Sequence, residues 1–288
     1  MTQPSSTVGL LHPGEMGSAV GATLVAGGAR VLWSPEGRGP ATRTRAAELG
    51  LEASGSLARV TAAAGVIVSV TPPHAALAQA REVAALGFHG IYVDANAVAP
   101  ATSRAIGKVV EAAGARFVDS GIIGPANRKP GAARIYLSGP AAAEVAPLFA
   151  SGPIEAHVLT GPVGAASALK VAFAGWNKAS QGLLAAIRAY AIAEGVDAAL
   201  LAEWKISMPE VPARSERAVQ DNARKAWRFV GEMEEIAQAF AAVGLPSGFH
   251  EAAADIYRRL ESYKDTAAPP PVEEAARRIL EQRPRAPR

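Results

Sequence analysis

The sequence has no cysteine and only five histidines, at positions 12, 74, 89, 157 and 250. The first absence excludes disulfides, thiolate nucleophiles, iron–sulfur clusters and cysteine-ligated zinc. The second leaves no HExxH pattern and no histidine pair at helical spacing, so no dedicated metal site is expected. Charge is also scarce: charged residues make up 19% of the chain, and the net charge is +3. The stretch from Glu273 to Arg288 supplies +2 of that, so the body is nearly neutral. A clustered basic face, the footprint of nucleic-acid binding, is missing. No apolar run reaches the ~18 residues of a membrane span. The first seven residues contain neither a basic residue nor an apolar segment, so no secretory signal is read there. The expectation is a cytoplasmic protein that acts on a small molecule, with no nucleic-acid or membrane partner.

What is present is apolar surface. Hydrophobic residues make up 49% of the 288, enough for a packed core and far from the composition of disordered chains. Short apolar segments read as strands at 8–11, 29–33, 65–70, 91–94, 116–119 and 134–138, with 158–159 as a candidate last strand. Helical segments alternate with them at 18–28, 42–49, 75–86 and 102–113. Alternation of this kind indicates βαβ units and a parallel sheet buried on both faces. After Thr160 the character changes. Residues 165–195 contain no convincing breaker except Gly175 and Gly182, and a helix of that length spans about 45 Å. Further helices are expected at 198–205, 216–243 and 248–262, with a short one at 272–282. The chain thus divides into an α/β domain over 1–160, a helical substrate and dimerisation domain over 161–264, and a mobile Pro/Arg-rich tail over 265–288.

The turn after the first strand reads His12, Pro13, Gly14, Glu15, Met16, Gly17. A dinucleotide-binding turn needs the G-x-G-x-x-G pattern for tightness, close backbone approach to the pyrophosphate and helix–strand packing. Gly14 and Gly17 fill its second and third positions, and His12 stands at the first. The amides of Glu15, Met16 and Gly17 then face phosphate at a helix N-terminus. The pattern follows a strand and opens a helix, which is the context it requires. The competing reading is an ordinary glycine-rich turn. Twenty residues beyond Gly14, where an Asp or Glu would take a ribose 2′-hydroxyl, stands Ser34, followed by Glu36 and Arg38. Ser34 and Arg38, with Arg43 nearby, suit a 2′-phosphate. The expected cofactor is NADP, with NAD possible through Glu36. The fold expected is a Rossmann-type doubly wound parallel sheet followed by an all-helical C-terminal domain.

This turn, together with four later segments in order, resembles the β-hydroxyacid dehydrogenase and 6-phosphogluconate dehydrogenase superfamily. Residues 69–73, with Thr71 and Pro72, resemble its loop over the adenosine side of the cofactor. Asp94 and Asn96 followed by Pro100 are similar to its segment beside the nicotinamide. Residues 117–124, with Ser120, Gly121 and Ile122, stand in the place of its substrate-binding loop. Gly161 to Lys170 resembles the start of its interdomain helix with the catalytic lysine. Residues 225–235 and 244–250 resemble a helical domain of unknown function fused to such NAD(P)-binding domains. The resemblance implies hydride transfer at a C–OH/C=O carbon, Lys170 as general acid or base, and a pocket between the domains. Two departures fall on that pocket. The family's Ser-Gly-Gly stretch is here Ile123, Gly124, Pro125, and the Asn one turn after the lysine is here Ala174. They point to a bulkier or less acidic substrate.

Asn177 lies seven residues beyond Lys170 and returns to the same helix face, so it can take over the orienting task of the missing Asn. Exposure to solvent is the equal alternative. Ser120 can bond a substrate oxygen or be a plain loop serine. His250 can reach the substrate within its own subunit or across a dimer, or be a structural histidine. Trp176, Trp204, Trp227 and Phe229 read as core or dimer contacts, and Glu232, Glu234 and Glu235 as a solvated face. The long amphipathic helices imply a homodimer. Two alternatives to the dehydrogenase stand: an imine reductase-like enzyme, against which Lys170 argues, and a non-catalytic NADP-binding protein, which His12 in place of glycine motivates.

Overall fold

The computed structural model describes residues 6–126 and 129–281. The chain forms two compact units, 1–171 and 172–288. The first runs β1 (Thr7–Leu11), α1 (Glu15–Ala26), β2 (Arg30–Trp33), α2 (Pro40–Glu48), β3 (Glu52–Ala53), α3 (Leu57–Ala63), β4 (Val66–Ser69), α4 (Pro73–Ala85), β5 (Ile91–Asp94), α5 (Pro100–Ala112), β6 (Arg116–Ile123), β7 (Ala133–Ser138), α6 (Ala142–Val145) and β8 (Ile154–Val158). The strands form one sheet in the order β3-β2-β1-β4-β5-β6-β7-β8. All pairs are parallel except β6–β7. The order reverses at β1, between β2 and β4, which makes the carboxyl end of β1 the topological switch point where ligands bind in such sheets.

Both sheet faces are covered, and the side chains alternate between them with the strand period of two. Leu10, Val68, Val93 and Val118 pack beneath α1 in one cluster. Ile67, Tyr92 and Phe117 pack under α4 and α5 in the other. That double burial is why the strands read as continuous apolar runs. The short β3, α3 and α6 carry no such pattern and escape the sequence reading. The last strand is 154–158 rather than 158–159. Helix α1 begins at Glu15, three residues earlier than its apolar pattern. The strand expected at 116–119 runs on through 120–123, part of the expected substrate loop, because antiparallel β7 pairs with it, ending at Ile123 opposite Arg134.

The second unit contains most of α7 (Ala165–Ala193), then α8 (Asp197–Ser207), α9 (Val211–Ala223), α10 (Ala226–Ala242), α11 (Gly248–Arg259) and α12 (Val272–Leu280). The two glycines of α7 serve close packing. A Cβ on Gly175 would lie 3.4 Å from the His250 ring, and one on Gly182 would lie 3.3 Å from Ala253 Cβ. The single helix expected over 216–243 is two helices. Pro212 starts α9 in the first turn, where proline is tolerated. Near its end, Asn222 turns its amide back onto the Ala218 carbonyl and across to Gln181, a competition with backbone bonding that favours helix ends. The reading of the tail as mobile lies outside the described residues from 282 onward. Among the described residues, no helix is long and apolar enough to cross a membrane.

Candidate active site

The strand ends align at the switch point. Leu11 pairs with Ser69, Ser69 with Asp94, and Asp94 with Asp119, so the turns after β1, β4 and β5 open on one edge. The first turn is tight. His12 has φ +66°, the left-handed region that glycine adopts freely and other residues at a cost. It therefore performs the backbone task of the missing glycine. Gly17 is obligatory, because a Cβ there would stand 2.3 Å from the His12 carbonyl oxygen. Gly14 leaves room for the His12 ring, whose Nε2 would be 3.0 Å from a Cβ at that position. Pro13 is buried, Met16 packs on the core cluster, and Glu15 is the exposed first residue of α1.

Beside the turn lies a cleft of about 140 Å³, lined by His12, Ser34, Glu36, Arg38 and Glu82 among others. Arg38 donates to His12 Nδ1 at 2.9 Å. Its Nε is buried without a hydrogen-bond partner, as is that of Arg45. Burial lowers the His12 pKa from its ordinary value, and the charges of Arg38 and Arg45 lower it further. Ser34 Oγ lies 3.4 Å from a Glu36 carboxylate oxygen. Arg43 donates to the Arg38 and Pro35 carbonyls, so it braces the loop instead of facing the cleft. Glycines that a Cβ would crowd, a helix N-terminus and orphaned guanidinium nitrogens suit the pyrophosphate and ribose end of a dinucleotide.

Thr71 and Asn96 come together above β4 and β5. Asn96 Oδ1 accepts from the Thr71 amide at 2.5 Å and from its hydroxyl at 3.2 Å. Its Nδ2 donates to Ser69 Oγ and to Asp94. Those four bonds use all the capacity of a side-chain amide. Asn96 therefore clamps two loops together. Pro72 caps α4, with Pro73 in its first turn.

The extension of β6 beyond the end of β5 carries the second cluster. Lys170 Nζ donates to the Ile122 carbonyl at 2.7 Å. Gly121 permits this approach: a Cβ there would lie 2.8 Å from Lys170 Cβ and 2.9 Å from the Ala166 carbonyl oxygen. Ile122 contributes its backbone, its side chain being buried. Ser120 is fully buried and donates to the Asp94 carbonyl at 2.8 Å, which commits its proton to the fold. Asp119, also fully buried, receives the hydroxyls of Ser103, Ser138 and Ser167 and the amides of Gly164, Ala166 and Ser167. It caps α7 and fixes the first turns of the helix that bears Lys170.

In the second unit, Asn177 Oδ1 accepts from Gln181 at 2.7 Å. Lys178 pairs with Glu232, both largely buried, and its ammonium lies 4.4 Å from the Phe229 ring centroid. Glu232 thus departs from the solvated face expected of it, while Glu234 remains exposed against Arg258. Trp204 is core, whereas Trp176 is exposed. His250 is buried, edge-on to Phe240 at 4.3 Å, with Nδ1 lacking a partner and its pKa lowered by burial.

Residues 7–151 match the family of the NAD binding domain of 6-phosphogluconate dehydrogenase. The chain belongs to that family. Residues 191–260 match a domain of unknown function, DUF1932. No curated protein matches. Among solved structures, the chain is similar to a conserved protein of unknown function described as structurally similar to 3-hydroxyacid dehydrogenases. The two are 27% identical, with 89% of this chain and 97% of that one covered and a TM-score of 0.67. It is also similar to 3-hydroxyisobutyrate dehydrogenase from Mycobacterium tuberculosis, at 20% identity, 95% and 99% coverage and a TM-score of 0.70. A reductive aminase from Aspergillus terreus in complex with NADPH and ethyl levulinate matches at 18% identity, 94% and 98% coverage and a TM-score of 0.55.

Membership in the 6-phosphogluconate dehydrogenase NAD-binding family accounts for the sheet order and the glycine turn. Two site features escaped the sequence reading. Asp119 lies within the segment 117–124, yet its partners lie 16 to 48 residues away. Arg45 is two residues from Arg43 on α2, and only the helix face separates their roles.

Proposed function

We propose that the protein is an NADP-dependent oxidoreductase that moves hydride between a nicotinamide and a C–OH/C=O carbon of a small organic substrate. The observation that carries the reading is the Lys170 ammonium held at the carboxyl edge of the sheet by the Ile122 carbonyl. When bound, the nicotinamide supplies the hydride. The turn at Gly14–Gly17 would hold the pyrophosphate, and Ser34 and Arg38 the ribose end. Thr71, with Asn96 behind it, would border the cofactor. Lys170 would give a proton to the substrate oxygen in reduction and, once deprotonated, take one in oxidation. Gly121 and the Ile122 backbone set where that ammonium stands. The test is NADPH turnover on panels of hydroxy acids, carbonyls and imines with wild type and Lys170→Met. A loss of roughly 10²–10⁴ in kcat with unchanged NADPH affinity supports the role. Equal turnover in both proteins refutes it.

The likeness to a reductive aminase with NADPH favours imine reduction as the second reading, and turnover on imines alone would select it. Cofactor binding with no turnover on any panel would select a non-catalytic dinucleotide-binding protein. We also propose a homodimer through the helical unit. Trp176, Leu183 and Tyr190 are spaced by seven on α7 and are 71%, 60% and 65% exposed. That apolar stripe calls for a partner.

A further inference from the structure

The histidine at the first glycine position has a side-chain task as well as a backbone one. A non-glycine residue held at φ +66° carries strain that a glycine would not. Nothing in the turn's backbone geometry asks for an imidazole. The ring lies over Gly14 and lines the cleft with Ser34, Glu36 and Arg38. Its Nδ1 receives an N–H of Arg38 at 2.9 Å. Arginine is always a donor, so the imidazole is the neutral tautomer with its proton on Nε2.

We infer that His12 is a specificity-determining positioning residue, which latches Arg38 into the cleft and makes its ribose end a receptor for a 2′-phosphate. The inference deepens the proposed function and rests on its reading of the turn as a dinucleotide site. The latch removes the freedom of a long side chain before any ligand arrives. It leaves the Arg38 Nε buried and without a hydrogen-bond partner. A phosphate dianion is the ligand class that satisfies such a guanidinium group. Opposing charge comes from Glu36 and Glu82, which line the same cleft. Glu36 suits an unphosphorylated ribose diol and repels a phosphate. Selection between the two dinucleotides is therefore a balance between the latched arginine and Glu36, and His12 sets it.

The experiment titrates wild type, His12→Gly, His12→Asn and Arg38→Ala with NADPH and NADH, and with 2′,5′-ADP against 5′-AMP, alongside thermal melts. Wild type is expected to prefer the phosphorylated member of each pair. His12→Gly is expected to fold with an unchanged or higher Tm, because glycine relieves the left-handed strain. It is also expected to lose roughly tenfold or more of that preference, with NADH affinity intact. Arg38→Ala should lose the preference as well. His12→Asn should keep part of it, because asparagine tolerates the left-handed region and its amide oxygen can accept from Arg38. A His12→Gly protein that keeps the wild-type NADPH/NADH ratio overturns the inference and leaves the proposed function standing. If that variant does not fold, an Arg38→Ala ratio equal to wild type does the same. Binding of neither dinucleotide by wild type overturns the proposed function and this inference with it.

Discussion

Two histidines make the protein sensitive to acid, one in each unit: His12 is half-buried and His250 is buried. Burial lowers the pKa of both His12 and His250 from the ordinary value of 6.5, with the Arg38 and Arg45 charges adding to the effect at His12. The unfolded chain then binds more protons than the folded one as pH falls through 6.5. Stability contributed by the neutral rings is complete above that value and declines as pH falls through the lower folded pKa values. Thermal melts at pH 7.5, 6.5 and 5.5 should show Tm dropping toward acid. His12→Gly and His250→Gln should each flatten the decline. Three identical slopes would remove the histidines from the account. The local origin of these effects explains what could be read beforehand. The pattern of Gly14 and Gly17 is a short-range signal and was legible. The pairing of His12 with Arg38, 26 residues away, depends on how β1 and β2 lie side by side and was not.

At the scale of elements, the decisive joint is that between β6, β7, α5 and the start of α7. One carboxylate on β6, Asp119, takes donors from the other three. Asp119→Asn would turn an N–H₂ group toward serine hydroxyls or backbone amides and remove the charge that favours a helix N-terminus. The expected cost is about 3 kcal/mol of stability, measured by urea unfolding. Loss of Lys170-dependent turnover should accompany it before global unfolding. A loss below about 0.5 kcal/mol would show that the hydroxyls re-satisfy themselves and that the joint is not held by this residue. Long, strongly patterned elements such as β4, β5 and α5 were readable because their burial repeats along the sequence. The break between α9 and α10 was not, because Asn222 turns toward Gln181, 41 residues earlier. The strand character of 120–123 was hidden in the same way, since it comes from antiparallel β7.

At the scale of the whole molecule, a seven-residue apolar spacing on a 29-residue helix predicts self-association. Light scattering after size exclusion should give twice the chain mass at micromolar concentration, and Leu183→Asp should shift it to the monomer while leaving the fold's circular dichroism unchanged. A wild-type monomer would refute the dimer. The sequence showed that the chain has an α/β part and a helical part, because its composition and periodicity change after Thr160. The place of the joint is a different matter. The structural division falls inside α7, between residues 171 and 172, and the first turn of that helix is bonded into the first unit through Asp119. The two halves therefore have no seam at which they can be cut and exchanged freely. A fragment ended at residue 160 would leave a buried carboxylate without its amide donors and would discard Lys170. A chimera that takes its helical half from a relative must be joined downstream of Lys170, with the helix kept in phase across the junction.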